Sequence, residues 1–545
     1  MMKNLTSKRT VFTIILIGML FLSFSFKSNF FEIAKQIEIY NTLFKELNMY
    51  YVDEINPAEL TEKAIKNTLS SLDPYTNFYN EQDVENAKIA REGEYGGVGV
   101  NVFYTKEGIH IREIYKGFSA DKAGLKPGDI IISVDNQSLK NMNSAQQSEF
   151  LKGVPGSKIS VEMNRQGKIF KKELSREKVI MDAVPFSEMI DAETGYIVLT
   201  QFNEKASSEV KKAFKELQKK GMKKLVFDLR SNPGGSLLEA INISNFFIPK
   251  GKTIVSTKAK VKSLSTIYRA SNEPLDLEIP IVVLINRRSA SASEIVSGAL
   301  QDYDRAVIMG ERSFGKGLVQ RYRELTYGTQ LKVTISKYYT PSGRCIQELD
   351  YTNRDPKTGE VPKFSDKTVN AFKTENGRTV FDGGGVLPDV AIVTSKRLPL
   401  TDNLLDSKAI FNYGVHYMYQ NPAITSLDNF RFSTTDFKDF TNFLITDTTF
   451  ITQQEKLFQD AFEASKDIEI NKEYQKIKEK LAQVKISEVA KNEDIITEVI
   501  KEELLKNYFY EEGWFQYQLK NDKTILQAVQ LLKNSAKYNQ ILSGK

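Results

Sequence analysis

The chain has 545 residues, 41% hydrophobic and 26% charged, with 31 Gly and 15 Pro, a composition that supports several packed domains and excludes a collagen, a disulfide scaffold and wholesale disorder. Its 75 Lys and Arg against 69 Asp and Glu leave a net charge of +6, too dilute over this length to point to nucleic acid as a partner. A single cysteine, Cys345, and two histidines, His110 and His416, exclude an intramolecular disulfide and any multi-Cys or His-rich metal site, and all three are read as structural residues.

Lys3, Lys8 and Arg9 precede an apolar run over residues 11–26. As a helix this run reaches roughly 24 Å against the roughly 30 Å of a hydrocarbon core, so residues 1–27 read as an export signal rather than a robust membrane span. Ser23 and Ser25 offer small residues for cleavage, and an uncleaved N-terminal anchor stays open. In either case the leading charges stay inside and the rest of the chain is expected outside the cytoplasm, in the periplasm or cell envelope.

Residues 28–92 carry Leu, Ile, Tyr, Glu and Lys at helical spacing and close on the turn Leu72-Asp73-Pro74-Tyr75-Thr76, which predicts a helical region. From 93 to 180 short β-rich runs alternate with glycines, among them 109–114, 130–134 and 159–163, and predict a compact β module. Between 181 and 395 strands and helices alternate. Strands are expected at 196–199, 224–228, 281–285 and 306–309, with two long β runs up to Tyr339. Helices are expected at 204–220, 236–247 and 293–301, the first with Val210, Ala213, Phe214 and Leu217 on one face. The pattern predicts an α/β layer domain whose apolar strands are covered on both faces. Residues 350–385 read as a Gly- and Lys-rich loop, and 396–545 as an appended helical extension whose role is not written in its pattern.

Three strand ends carry residues suited to chemistry. The strand 281–285 opens into Ser289-Ala290-Ser291-Ala292-Ser293-Glu294-Ile295 at a helix start, where free backbone N–H groups can meet a negative oxygen; a serine N-cap without chemistry fits the same six or seven residues. Further on, Phe314-Gly315-Lys316-Gly317 sets a lysine between glycines. A lysine in a partly apolar site loses part of its preference for the charged form and can serve as a general base. Asp228-Leu229-Arg230 followed by Asn232-Pro233-Gly234-Gly235 is a strand running into a glycine turn whose amides suit a developing oxyanion, and it has neither dinucleotide nor P-loop spacing.

Together with Gly310-Glu311, Gln320 and Tyr338-Tyr339-Thr340-Pro341-Ser342-Gly343, these blocks resemble the C-terminal processing peptidases, or tail-specific proteases, over roughly residues 35–390. The resemblance implies a nucleophile at Ser291, a general base at Lys316, a third polar member at Gln320 that orients the amine, and an oxyanion hole from Gly234 or Gly235 and Ala292. Gly97-Val98-Gly99-Val100, with the run from Ser119 to Ile131, looks like the carboxylate-binding loop of a PDZ domain, which takes a peptide C-terminus on backbone amides. The implied architecture is α+β and multidomain: a layered α/β core of the crotonase/ClpP-like kind, an inserted PDZ domain, and helical N- and C-terminal regions. The resemblance implies an exported serine endopeptidase without metal or cofactor, acting on polypeptide C-terminal tails, with homo-oligomerisation and membrane association through the N-terminus both open. Two other readings stay in view, an inactive PDZ scaffold on a protease fold and an acyl-thioester enzyme on a crotonase-like core. The sequence departs from the family pattern at Tyr75 and Cys345, and the helical tail beyond about 400 is expected to have no counterpart.

Overall fold

A computed structural model describes residues 28–364, 369–392, 397–465 and 471–544, so the apolar run over 11–26 lies outside the described residues. Among those described, no helix is long and apolar enough to cross a membrane. The chain divides into two units, one up to Phe78 and one from Tyr79 onward. The first holds the helices Ser28–Tyr50 and Pro57–Ser70. The second helix starts where Asn56 caps the amides of Ala58 and Glu59 and Pro57 presets the first turn. The following Asp73 side chain accepts from the amides of Tyr75 and Thr76, so the Leu72-to-Thr76 motif is a capped turn.

The second unit is organised by a six-stranded sheet, whose strands we label β1 (Phe186–Met189), β2 (Thr194–Val198), β3 (Lys224–Asp228), β4 (Ile281–Ile285), β5 (Val307–Gly310) and β6 (Val390–Ala391). They lie in that order, β1 antiparallel to β2 and the rest parallel. The first three crossovers, from β2 to β5, carry the helices α1 (Ala206–Lys219), α2 (Leu237–Asn245) and α3 (Ala292–Asp302). Every residue of β4 is buried. Ile281, Val283 and Ile285 face one core with Phe214 of α1, Ile243 of α2 and Val296 of α3; Val282 and Leu284 face a second core. A strand buried on both faces needs a continuous apolar run, which the sequence supplies.

The second core is closed by the helices beyond residue 400. Tyr413 of α4 (Ala409–Gln420), Trp514 and Phe515 of α5 (Glu493–Asn521), Leu532 of α6 (Lys523–Lys533) and Tyr538 of α7 (Ser535–Ser543) all pack there. The segment expected as an extension is thus the covering layer of the central sheet. Its last helix is also hydrogen-bonded to the sheet: the Tyr538 hydroxyl accepts from the amide of Ile281 at 2.9 Å and donates to its carbonyl at 3.0 Å.

The β module is an antiparallel sheet built on Val100–Tyr104, Ile109–Ile114, Ile130–Val134, Lys158–Arg165 and Lys168–Ser175, with its own apolar core. Its entry strand Glu94–Gly97 pairs with its exit strand Glu177–Ile180, Glu94 opposite Ile180, so the module leaves and rejoins the chain at one place, as an insertion must. A further sheet joins the hairpin Leu318–Glu324 and Gln330–Tyr339 to Thr253–Ala259 and Thr266–Arg269. These last two strands are outside the expected set, because their polar and apolar residues are mixed and the connection between them, residues 260–265, holds no glycine or proline to mark a turn. The region 350–385, expected as loop, includes the small hairpin Ala371–Lys373 and Thr379–Phe381.

Replacing Tyr538 by Phe leaves a buried amide and carbonyl of Ile281 without their side-chain partner. We expect a loss of about 1–3 kcal/mol, read as a lower urea midpoint for the transition of the sheet domain.

Candidate active site

Six of the residues singled out in the sequence line one cavity of about 750 Å³: Gly234, Gly235, Ser291, Ala292, Lys316 and Gln320. Its opposite wall includes Asp83, Asn86, Ala87 and Arg91 of the helix Glu81–Glu92, with Tyr322 and Tyr338 from the long hairpin. Neither histidine lines it, and among the described residues no group of three or more His, Cys, Asp or Glu could hold a metal ion. The loop 97–100 stands apart from the cavity, in the β module.

The serine loop separates its three hydroxyls. Ser289 and Ser293 are fully buried: the first donates to the carbonyl of Leu229 at 2.8 Å, the second to that of Asn232 at 3.0 Å. Both therefore tie the serine loop to the turn after β3. Ser291, half-buried, lines the cavity at the head of α3 with φ 56° and ψ −109°, a left-handed conformation that a serine occupies only when its surroundings hold it there. Two contacts do so: its amide donates to Glu294 Oε2 at 2.7 Å, and its carbonyl accepts from the Tyr338 hydroxyl at 3.1 Å. The tyrosine of the Tyr-Tyr-Thr-Pro block is therefore part of the frame of Ser291.

Glu294 also holds the lysine loop. Its Oε1 accepts from Ser313 Oγ at 2.6 Å and from the Gly315 amide at 2.6 Å, and its Oε2 from the Lys316 amide at 2.9 Å. Full burial pushes its carboxyl up to about 7, while these four donors pull the other way. In the sequence Glu294 reads as a helix-capping residue three positions after a serine, and only the loop brought against it from beyond β5 reveals the second half of its role. The glycines flanking Lys316 are steric requirements. A Cβ on Gly315 would stand 2.6 Å from Glu348 Cβ, at φ +87°, and one on Gly317 would stand 2.8 Å from the Gln347 amide. Gln320, two positions into the strand Leu318–Glu324, donates its Nε2 to Thr334 Oγ1 across the hairpin at 3.1 Å.

The turn after β3 is pinned from both sides. Asn232 Oδ1 accepts from the Gly234 amide at 2.8 Å, and the Asn232 carbonyl accepts from Ala290 at 3.0 Å. A Cβ on Gly234 would stand 2.7 Å from the Ala290 carbonyl oxygen and 2.9 Å from Ser291 Cβ, so only glycine lets this turn lie against the serine loop. Upstream, Arg230 pairs with Asp228 and, at 2.8 Å, with Asp522, the residue that caps α6; Tyr196 donates to Asp228 at 2.8 Å. The Asp-Leu-Arg block thus anchors the turn to the helices of the second core.

Three family models match the chain: Peptidase family S41 over residues 193–353, PDZ domain over 86–164, and "Probable PDZ-protease, C-terminal helical domain" over 400–532. The last corrects the expectation that the helical tail has no counterpart. A carboxy-terminal-processing protease of Bartonella bacilliformis is 36% identical over 324 residues, 58% of this chain and 74% of that protein. The carboxy-terminal processing protease CtpA of Bacillus subtilis is 35% identical over 311 residues, 56% of this chain and 66% of its own length. A solved photosystem II D1 C-terminal processing protease is 27% identical and covers 64% of this chain and 91% of its own, at a TM-score of 0.36.

Glu294→Gln keeps one acceptor for Ser313 and Gly315 but turns an NH₂ toward the amides of Ser291 and Lys316. We expect at least a tenfold fall in peptide turnover together with a loss of about 2 kcal/mol or more in stability. The pH dependence carries a sign. Burial raises Glu294 to about 7, and raises Glu503 and Glu511 on α5 to about 7 as well, so between about 4.3 and these values the folded chain holds more protons than the unfolded one. Their contribution to stability is therefore full below about pH 4 and lost as pH rises through 7. The melting temperature should fall from this source between pH 5 and 8, and the slope should be shallower in Glu294→Gln.

Proposed function

The chain belongs to the carboxy-terminal processing proteases of peptidase family S41, serine peptidases with a PDZ domain, and from that premise we propose that it is an exported endopeptidase that captures polypeptide C-termini and cleaves with a Ser291-Lys316 dyad. The observation that carries this reading is the single cavity in which Ser291, Lys316, Gly235, Ala292 and Gln320 meet, with Ser289 and Ser293 turned away into backbone hydrogen bonds.

Ser291 Oγ attacks the scissile carbonyl while the neutral amine of Lys316 takes its proton and passes it to the leaving nitrogen. Water, deprotonated by the same amine, then releases the acyl group from the serine. Gln320 Oε1 accepts from the amine and aims it. The oxyanion takes the amide of Ala292, whose N–H at the first position of α3 has no partner within the helix. Because the Gly234 N–H already serves Asn232, Gly235 is the second donor. For tail capture, the carbonyls of Val98 and Gly99 are tied inward to the amides of Ala120 and Tyr115. The N–H groups of Val98, Gly99 and Val100 are then the loop's remaining backbone donors for a chain-terminal carboxylate. Export rests on Lys3, Lys8 and Arg9 ahead of the apolar run over 11–26.

Ser291→Ala and Lys316→Ala should each abolish cleavage of an unfolded polypeptide with folding retained, since the pair acts as a unit. Turnover that survives Ser291→Ala but is lost in Ser289→Ala or Ser293→Ala would overturn the assignment. Activity should rise with pH through the ionisation of the lysine, and Lys316→Arg should stay inactive because a guanidinium does not deprotonate. For one peptide with a free or an amidated C-terminus, kcat/KM should favour the free form by about tenfold or more, the loss of a charge-assisted hydrogen bond. A ratio near one would mean that the PDZ domain reads something other than chain ends.

A further inference from the structure

The long helix α5 is broken at Tyr510, which stands at φ 60° and ψ −177° in the middle of an otherwise helical run. That backbone region is one glycine occupies, and a tyrosine stays there only when contacts on both sides fix it. On one side, the next turn is seated in the core of the central sheet through Trp514 and Phe515. On the other, the Tyr510 ring packs against the apolar core of the PDZ domain, and its hydroxyl donates to Asp121 Oδ1 at 2.6 Å.

Asp121 belongs to the segment that backs the carboxylate-binding loop. Its Oδ2 accepts from the Gly117 amide at 2.7 Å, which shapes the turn ahead of Phe118. Phe118 lies so close to Gly99, at φ +82°, that a Cβ there would stand 2.2 Å from Phe118 Cβ. Within the same stretch the amides of Tyr115 and Ala120 hold the carbonyls of Gly99 and Val98 at 3.0 and 2.9 Å. A second tether comes from the same turn of α5, where Lys116 pairs with Glu512 at 2.7 Å and its ammonium sits 5.9 Å from the Tyr510 ring centre.

We infer that Tyr510 is a positioning residue for tail capture: the break in α5 delivers its hydroxyl to Asp121, and through the segment 115–121 it holds the loop 97–100 in the shape that receives a terminal carboxylate. The helical domain, seated on the protease sheet, thereby sets the binding loop of the PDZ domain. The inference rests on the reading of 97–100 as a site for chain ends.

The test uses the full chain with Ser291→Ala, to prevent cleavage, and a fluorescein-labelled decapeptide ending in alanine, as free acid and as amide, followed by fluorescence anisotropy. Tyr510→Phe keeps the ring and removes the hydroxyl. It should weaken binding of the free acid by roughly three- to tenfold and leave the amide unchanged. In the chain that retains Ser291, KM for the free acid should rise by the same factor while turnover at saturation stays within about twofold, a split that general destabilisation does not produce. Asp121→Ala should be as damaging alone as combined with Tyr510→Phe, since it already removes the acceptor of the Tyr510 hydroxyl along with that of the Gly117 amide. Free-acid binding by Tyr510→Phe as tight as or tighter than the parent, an equal effect on both peptides, or fully additive losses would each overturn the inference while the reading of the loop stands. A parent chain that binds acid and amide alike would remove that reading, and this inference with it.

Discussion

The active site depends on one buried carboxylate. Glu294 takes two backbone amides from the lysine loop, one from the serine loop and one hydroxyl, all within 2.9 Å. Removing a carboxylate from water costs several kcal/mol, and four donors aimed at two oxygens offset part of that cost, and only while both loops keep their places. Ser291 and Lys316, the proposed nucleophile and base, come from opposite ends of a stretch that contains α3 and β5, and neither loop has regular structure of its own. Their shared acceptor makes them one rigid object. It also explains how Ser291 holds a left-handed backbone: the amide it turns inward is the one Glu294 receives.

The second constraint is the two-faced sheet. Strands β3 and β4 end at the Asn232-to-Gly235 turn and the serine loop, and both faces of these strands must be covered for those ends to be fixed. α1 to α3 cover one face and the helices beyond residue 400 the other. The ion pairs of Arg230 with Asp228 and Asp522 add a polar link at the strand end, where burial makes an unpaired charge costly. The C-terminal helical domain is therefore a part of the catalytic scaffold by packing, whatever else it does.

The PDZ domain is attached through several small contacts. Glu94 pairs with Lys205; Arg91 pairs with Glu204; on the far side Phe103 packs edge-on against Phe411 at 5.4 Å. Exposed ion pairs contribute roughly 0–1 kcal/mol each, so the orientation is set by their number and by the apolar contacts rather than by any one. Glu204 and Lys205 directly follow Phe202 and Asn203, and Phe202 bridges to Gly235. The root of the PDZ domain thus lies two residues from the turn proposed to hold the oxyanion.

The strands 224–228 and 281–285 and the helix α1 between β2 and β3 were legible in the sequence because local demands fix them: β4 needs an uninterrupted apolar run, and α1 needs Val210, Phe214 and Leu217 on one stripe. Thr253–Ala259 and Thr266–Arg269 were not, since no glycine or proline marks the turn between them and the strand that pairs them into the sheet, Gln330–Tyr339, lies tens of residues away. Among Ser289, Ser291 and Ser293 the local pattern is indifferent, three small hydroxyls at alternate positions. The tertiary fold separates them by setting the Leu229 and Asn232 carbonyls against the outer two and the cavity against the middle one. Glu294 and Tyr510 show the same limit. One reads as a cap and the other as an ordinary helical tyrosine, because the groups that define them, the amides of a loop twenty residues on and a carboxylate nearly four hundred residues back, are neighbours in space alone. Periodicity and glycine placement are properties of a few consecutive residues and survive in the sequence; a convergent set of donors is a property of the packed chain, and only packing decides it.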